Sequence, residues 1–172
     1  MVHFKKITVL LFLLICIPVS SFAADKIIDR ANVKAALLVD LEGGKVLYRY
    51  NEHASIQPAS LSKILTLYLV NEDVRDGKVK YSDLVRISTK AAKTNGSKIF
   101  HDQVNGVLLE DLIKFMAIFS SNDATIAVAE HLAGSVEKFV VRMNEKAKEI
   151  GMKQSYFANP HGLPDRRQRT TA

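Results

Sequence analysis

The segment from residue 60 to about residue 73 constrains the fold most, because it predicts a helix that is apolar on most sides. Its apolar residues are Ile64, Leu65, Leu67, Tyr68, Leu69 and Val70. A helix that is apolar all round is buried in a core, so the rest of the chain has to pack around this segment. Pro58 lies two residues before Ser60, a typical position for the start of a helix.

This predicted helix begins with the tetrapeptide Ser60-Leu61-Ser62-Lys63. One helical turn separates Ser60 from Lys63, so both side chains lie on one face. A serine hydroxyl is a weak nucleophile until a neighbouring base accepts its proton. A lysine amine can be that base where burial and nearby positive charge lower its pKa. The alternative is a helix-capping serine with a surface lysine, which is how we interpret the second such match, Ser135-Val136-Glu137-Lys138.

The triplet Ser120-Ser121-Asn122 lies between two predicted helices, residues 108–119 and 123–132. It can supply a second hydroxyl and an amide to the same cleft. It can also be a plain junction that caps the later helix, since serine and asparagine are preferred caps. Together with Ser60 and Lys63, the triplet favours a serine acyl-transferase that works without histidine.

The remaining elements follow from periodicity and turn residues. Residues 34–40 and 45–50 predict a β-hairpin around the turn Leu41-Glu42-Gly43-Gly44. A further helix is predicted at 136–150, with Ser135 as its cap and Gly151 as its end. Residues 81–106 are mixed and polar, with Asn95-Gly96 and Asn105-Gly106 interpreted as turns. The predicted order is therefore strand, strand and then several helices.

The N-terminus has the pattern of a secretory signal peptide. Lys5 and Lys6 precede an apolar run over residues 7–19, and Ser21-Phe22-Ala23 offers a cleavage site. We therefore expect residues 1–23 to be removed and residues 24–172 to be exported, with an uncleaved N-terminal anchor as the alternative. The only cysteine, Cys16, lies in the leader, so the mature chain has no disulfide.

Charge and composition exclude several classes of function. The formal net charge is +6, and the basic residues are scattered apart from Arg166-Arg167-Gln168-Arg169. No nucleic-acid motif is present. The histidines show no metal-ligand spacing, so we expect neither a metal nor a cofactor; they are His3, His53, His101, His131 and His161.

Three stretches together resemble the penicilloyl serine transferases, the group that holds penicillin-binding proteins and serine β-lactamases. The stretch 58–63, Pro-Ala-Ser-Leu-Ser-Lys, resembles the nucleophile box of that group. The stretch 119–124 resembles its second box, in which glycine often replaces Ser121. Residues 139–163 resemble the part that follows. The closer likeness, over essentially the whole mature chain, is to the low-molecular-mass penicillin-binding proteins that act as D-alanyl-D-alanine carboxypeptidases.

The resemblance implies a fold and a division of the chain. The fold would be of the α/β (α+β) class, like that of the β-lactamases and penicillin-binding transpeptidases. It would combine the N-terminal hairpin of an antiparallel sheet with a helical subdomain, and the sheet would be incomplete. Residues 24–172 would form the N-terminal portion of the catalytic domain.

The resemblance also implies roles by position. Ser60 would attack the carbonyl between the two terminal D-alanines of a peptidoglycan stem peptide, and Lys63 would accept its proton. Ser120 would relay a proton to the leaving D-alanine, and Asn122 would hold the substrate amide. The Ser60 backbone N–H would form half of an oxyanion hole. β-Lactam antibiotics would acylate Ser60, and the enzyme would act in the periplasm or at the envelope exterior, with a role in cell-wall organisation and cell shape.

One departure from the family pattern is large. The third box, Lys-Thr-Gly on a sheet strand, does not follow the second one here, and Lys93-Thr94-Asn95-Gly96 is interpreted as a loop. We therefore expect this chain to be a truncated fragment that is inactive as it stands. Many family members associate with the membrane through a C-terminal anchor; no such anchor is present in this chain, and the sequence leaves open whether the full gene encodes one. The alternatives are a serine β-lactamase, disfavoured because no Glu-x-x-x-Asn occurs, and a non-catalytic remnant that binds cell-wall peptides.

Overall fold

The computed structural model describes residues 32–172, so the predicted signal peptide and Cys16 lie outside the described residues. The expected mixture of strands and helices is confirmed. In chain order the elements are β1 (Ala36–Val39), β2 (Val46–Tyr50), a 3-10 turn (Ala59–Leu61), α1 (Ser62–Arg75), β3 (Leu84–Ile87), α2 (Thr89–Ala92), β4 (Val104–Leu108), α3 (Leu109–Phe119), α4 (Asn122–Ala133) and α5 (Val136–Glu149).

The predicted N-terminal hairpin is confirmed as an antiparallel pair of β1 and β2, with Leu38 opposite Tyr48. The Asp40 carboxylate forms the turn by accepting hydrogen bonds from the N–H groups of Glu42 and Gly43. Tyr48 is buried, as alternation along a strand predicts for one face. Large apolar side chains nevertheless remain exposed on the hairpin, namely Leu37, Leu38, Leu41 and Leu47.

A second antiparallel pair, β3 with β4, was not predicted from the sequence. Leu84 pairs with Leu108 and Val85 with Val107, and the register then shifts. The interpretation of Asn105-Gly106 as a turn is wrong, because both residues lie inside β4. Gly106 has φ +81° at the register shift, which is typical of a β-bulge that only glycine adopts easily.

Helix α4 lies at the centre of the core, and its residues from Asn122 to Ala129 are all buried. It packs against α1, α2, α3, α5 and β3. One apolar cluster joins α4 to β3 and α3, and a second joins it to α1 and α5. The second cluster comprises Leu65, Leu69, Ala129, Phe139, Met143, Ala147 and Phe157.

Helix α1 is only partly enclosed, which corrects the expectation of full burial. Leu65 and Leu69 are buried, but Leu61 is 65% exposed, Ile64 63% and Tyr68 45%. The helix also starts later than predicted, because Ser60 belongs to the preceding 3-10 turn. Within residues 32–172, no helix has the length and apolar character needed to cross a bilayer.

The segment after α5 returns to the first turn of α1. The N–H groups of Gly162 and Phe157 are bonded to the asparagine side chains Asn159 and Asn144. Residues 165–172, which show no element in the sequence, form isolated bridges from Arg169 to Tyr156 and from Thr170 to Ile56. These bridges bring the last described residues beside the entrance to α1.

Candidate active site

Ser60 lies on the 3-10 turn that leads into α1, and it is exposed. Ala59 before it has φ +48°, a left-handed conformation that is unusual for a residue other than glycine. Gly162 packs directly against this turn with φ +90°: a Cβ at Gly162 would lie 1.8 Å from the Ala59 carbonyl oxygen and 2.9 Å from the Ser60 nitrogen. The backbone around Ser60 is therefore held by a close approach that requires glycine.

The ammonium group of Lys63 is buried and has three neighbours. Its Nζ lies 3.4 Å from Ser60 Oγ, 2.7 Å from Asn122 Oδ1 and 2.8 Å from the carbonyl oxygen of His161. Burial lowers the pKa of Lys63 to about 8. The pair that the sequence predicted is thus in contact, and a proportion of the lysine is neutral near physiological pH.

Asn122 begins α4 and contacts Lys63. Its Oδ1 accepts the bond from Lys63, while its Nδ2 donates to the carbonyl of Asn95 at 2.7 Å. Its backbone N–H donates to the carbonyl of Ser97. An amide nitrogen carries two hydrogens, and the contact with Asn95 uses one of them. The sequence predicted the position of Asn122 but not its contact with Lys63.

Ser120 occupies the left-handed cap of α3, with φ 54° and ψ 35°. Within residues 32–172 its hydroxyl makes no hydrogen bond to Ser60 or Lys63. The structure therefore brings together Ser60, Lys63 and Asn122, and it places Ser120 two residues before Asn122 without joining it to the pair. Its relay role stays a prediction.

The loop of residues 95–100 belongs to the site, although its sequence indicates only turns. The Asp123 carboxylate accepts hydrogen bonds from the N–H groups of Ile99 (2.9 Å) and Phe100 (2.6 Å), and also from the Ser121 hydroxyl. These bonds attach the loop to the N-terminus of α4, where it provides the acceptors for Asn122. The sequence feature that could have indicated this attachment is Asp123 itself, an acidic residue in the first turn of a predicted helix.

Residues 158–163 form a loop, the 158–163 loop, that contacts α1 at Lys63 and at Thr66. Thr66 Oγ1 donates to the carbonyl of Pro160 at 2.9 Å, and the carbonyl of His161 accepts from Lys63. Burial and the charge of Lys63 lower the pKa of His161 to about 4, and its Nδ1 accepts from the N–H of Leu163. His161 is therefore neutral, and its carbonyl rather than its imidazole meets the lysine.

Among residues 32–172, no group of three or more His, Cys, Asp or Glu side chains is placed to hold a metal ion. The contact between Ser60 and Lys63 supplies a hydroxyl group beside an amine of lowered pKa.

Comparison with known proteins identifies a family for this chain. The family described as D-alanyl-D-alanine carboxypeptidase matches residues 22–172. The chain is 45% identical over 132 residues to D-alanyl-D-alanine carboxypeptidase DacF of Bacillus subtilis, covering 77% of this chain and 34% of that protein.

Solved structures extend the likeness to the fold. The D-alanyl-D-alanine carboxypeptidase DacD of Francisella tularensis matches with a TM-score of 0.78 and 39% identity, over 85% of this chain and 36% of that one. Penicillin-binding protein D2 of Listeria monocytogenes, solved in its ampicillin-bound form, matches with a TM-score of 0.71 and 27% identity, over 80% of this chain and 56% of that one.

The expected penicillin-binding fold is thereby confirmed, and so is the family resemblance. The chain spans about a third of the length of the curated relatives it matches. Because the family match extends over most of the chain, this protein belongs to the D-alanyl-D-alanine carboxypeptidase family.

Proposed function

We propose that this chain carries the nucleophile and base of a serine-type D-alanyl-D-alanine carboxypeptidase. The observation that carries the proposal is the contact between Lys63 Nζ and Ser60 Oγ at 3.4 Å, with the pKa of the lysine lowered to about 8. The substrate class is a peptidoglycan stem peptide that ends in D-Ala-D-Ala. Membership of the family supports this choice of substrate.

The reaction proceeds through an ester on Ser60. Its Oγ attacks the carbonyl carbon of the penultimate D-alanine, and its proton passes to the neutral amine of Lys63. The tetrahedral intermediate collapses when the peptide nitrogen of the terminal D-alanine receives the proton that Lys63 accepted, with Ser120 as the relay between them. The C–N bond breaks, D-alanine leaves, and water then hydrolyses the ester to restore the Ser60 hydroxyl and free the shortened peptide.

Two groups orient the substrate in this scheme. Asn122 uses its remaining N–H to bind a carbonyl of the stem peptide, while its Oδ1 stays on Lys63. The backbone N–H of Ser60 stabilises the oxyanion, a type of contact whose loss costs about 10²–10³ in rate in serine hydrolases. Contact with Gly162 fixes the position of that N–H.

β-Lactams are the second class of ligand in this proposal. The Listeria monocytogenes relative was solved with ampicillin bound, which supports acylation of this chain by the same class of compound. The β-lactam carbonyl would react with Ser60 in the same way as the peptide carbonyl, and the ring nitrogen would take the proton.

Export belongs to the same proposal. The leader pattern of residues 1–23 supports delivery to the periplasm or the envelope exterior, where peptidoglycan is found. A fusion of residues 1–40 to alkaline phosphatase, which is active only outside the cytoplasm, tests this step. An inactive fusion would refute export.

The covalent step is tested by intact mass spectrometry after incubation with ampicillin. We expect one adduct on the unsubstituted chain and none on Ser60→Ala. The matched control is Ser135→Asn, which changes the other Ser-x-x-Lys sequence while keeping a good helix cap, and it should label normally. No adduct on the folded unsubstituted chain, or an adduct on Ser60→Ala, would overturn the proposal. The expectation of an inactive chain concerns turnover of the peptide and not acylation by ampicillin, and release of D-alanine from a stem-peptide mimic at a normal family rate would refute it.

A further inference from the structure

Gln168 lies within the basic run near the end of the chain, yet it is 3% exposed. Its Oε1 accepts hydrogen bonds from two successive backbone N–H groups, those of Ala158 (3.1 Å) and Asn159 (3.2 Å). Its Nε2 donates to Ser62 Oγ at 3.1 Å, across 106 residues of sequence. One side chain therefore connects the start of the 158–163 loop to the first turn of α1.

Both ends of this connection adjoin the reacting pair. Ser62 is fully buried and lies between Ser60 and Lys63 in the chain. The 158–163 loop contributes the His161 carbonyl to Lys63 and the Gly162 backbone to the Ala59–Ser60 turn. A change at Gln168 therefore reaches Lys63 through the loop, although no hydrogen bond joins the two side chains.

The three bonds of Gln168 are difficult to replace. A buried N–H group without an acceptor is destabilising, and the N–H groups of Ala158 and Asn159 both rely on the same oxygen. If that oxygen is removed, these two groups have to turn toward water, and the start of the loop moves away from α1. Water can then reach Lys63, and the desolvation that lowers its pKa is lost.

We propose that Gln168 is a positioning residue for Lys63, because it clamps the 158–163 loop onto the first turn of α1 and so keeps water away from the amine. This role rests on the proposed function, in which Lys63 is the base. It assigns to the basic run 166–169 a task inside the site, whereas Arg166, Arg167 and Arg169 around it are exposed.

The test follows the protonation of Lys63 directly. Lysine labelled with ¹³C at Cε gives a signal whose shift titrates with the amine, and Lys63→Arg assigns it. In the unsubstituted chain we expect the Lys63 signal to titrate near pH 8. In Gln168→Leu, which keeps the size of the side chain but removes its three hydrogen bonds, we expect the midpoint to rise by about one pH unit or more toward 10.5. Gln154→Leu is the matched control, because Gln154 is an exposed glutamine close in sequence, and its midpoint should stay with the unsubstituted chain.

Ser62→Ala provides a second variant that removes only the helix end of the clamp. We expect a smaller rise of the Lys63 midpoint than in Gln168→Leu, and no further rise when the two changes are combined, because they break the same connection. Circular dichroism shows whether Gln168→Leu folds. If it does not fold, Ser62→Ala alone tests the inference. An unchanged Lys63 midpoint in folded Gln168→Leu, or in Ser62→Ala where that variant stands alone, would overturn the inference.

The outcome is independent of ampicillin labelling. If the unsubstituted chain is not acylated while its Lys63 midpoint still depends on Gln168, the proposed function fails and the clamp stands. If the chain is acylated and the midpoint does not depend on Gln168, the clamp alone fails. Where both hold, the acylation rate of Gln168→Leu near pH 7 should fall by about tenfold for each pH unit by which the midpoint rises, since the neutral amine is the base.

Discussion

At the scale of single residues, the reactivity of Ser60 depends on the protonation of Lys63. Burial lowers the pKa of Lys63 to about 8, so the neutral amine is the minor form below that pH and the major form above it. We expect the rate of acylation by ampicillin to rise about tenfold per pH unit up to pH 8 and then to level off. Intact mass measured against time from pH 6 to pH 10 checks this. Lys138→Arg, at the exposed lysine of the second Ser-x-x-Lys sequence, should give the same profile, and a rate that is flat across the range would contradict the assignment of the base.

The lowered pKa of His161 leads to a separate prediction about stability. Its pKa is about 4 in the folded chain and about 6.5 in an unfolded one, so the unfolded state binds more protons between these values. The free energy of unfolding therefore falls as the pH is lowered from about 6.5 to about 4. His161→Asn removes the titrating group, and its side-chain oxygen can still accept from the N–H two residues later.

Urea denaturation at pH 7 and pH 4.5 measures this effect. The loss of stability on acidification should be smaller in His161→Asn than in the unsubstituted chain. His53→Asn is the control, since His53 is exposed, and it should lose as much as the unsubstituted chain. An equal loss in all three would show that the imidazole of His161 does not resist protonation in the folded state.

At the scale of elements, the turn before α1 depends on the close approach of Gly162. A Cβ there would lie 1.8 Å from the Ala59 carbonyl oxygen, so Gly162→Ala has to displace the peptide that carries the Ser60 N–H. Displacements of about 1 Å at a reacting group can cost about 10²-fold in rate, and we expect a loss of that order in ampicillin acylation. Gly151→Ala separates this clash from backbone strain, because Gly151 has a similar φ of +87° with nothing within 4 Å of its Cβ position. It should lose stability but keep its acylation rate, and an equal loss of rate in both variants would contradict the role of the contact.

Local signals in the sequence predicted α1, α3, α4 and α5 to within a few residues, but not the four-residue helix α2. Ser135 caps α5 by accepting from the N–H of Lys138, and Gly134 ends α4 in a left-handed conformation. The sequence did not predict the strands β3 and β4, because each is only four or five residues long. Asn105-Gly106 also resembles a hairpin turn, although it forms a bulge within β4. Tertiary pairing decides such segments, and sequence periodicity over four or five residues is too brief to reveal it.

At the scale of the whole molecule, the site joins parts that are distant in the chain. Lys63 meets Asn122 across 59 residues and His161 across 98. The motifs revealed Ser60, Lys63 and Asn122 because their residue types carry the chemistry. They did not reveal the His161 carbonyl or Gln168, since a backbone acceptor has no residue signature and a buried glutamine among arginines has the pattern of a surface. Contacts of this kind become visible only when the packing is known.

The packing of α5 on α1 includes an ion pair whose carboxylate is buried and whose guanidinium is partly exposed. Asp73 of α1 is 1% exposed and accepts two bonds from Arg142 of α5, at 2.9 Å and 2.8 Å. Arg142 keeps 30% of its side chain exposed, so water can solvate its charge when the partner is removed, and the loss is smaller than for a fully buried pair. We expect Asp73→Leu to lower the free energy of unfolding by about 2 kcal/mol, the cost of hydrogen bonds to a charged group, and urea denaturation followed by circular dichroism measures it.

The double variant Asp73→Leu with Arg142→Leu decides whether the pairing itself causes the loss. Replacing both charges with apolar side chains leaves no buried charge behind, so the double variant should regain a large part of the stability that Asp73→Leu loses. Arg75→Ala is the control for an ion pair at the surface, since the Arg75 side chain is 70% exposed beside Asp76, and it should leave the urea midpoint unchanged. If the losses in the double variant were simply additive, the ion pair would not couple α1 to α5, and the apolar cluster around Phe139 and Met143 would hold the two helices together without it.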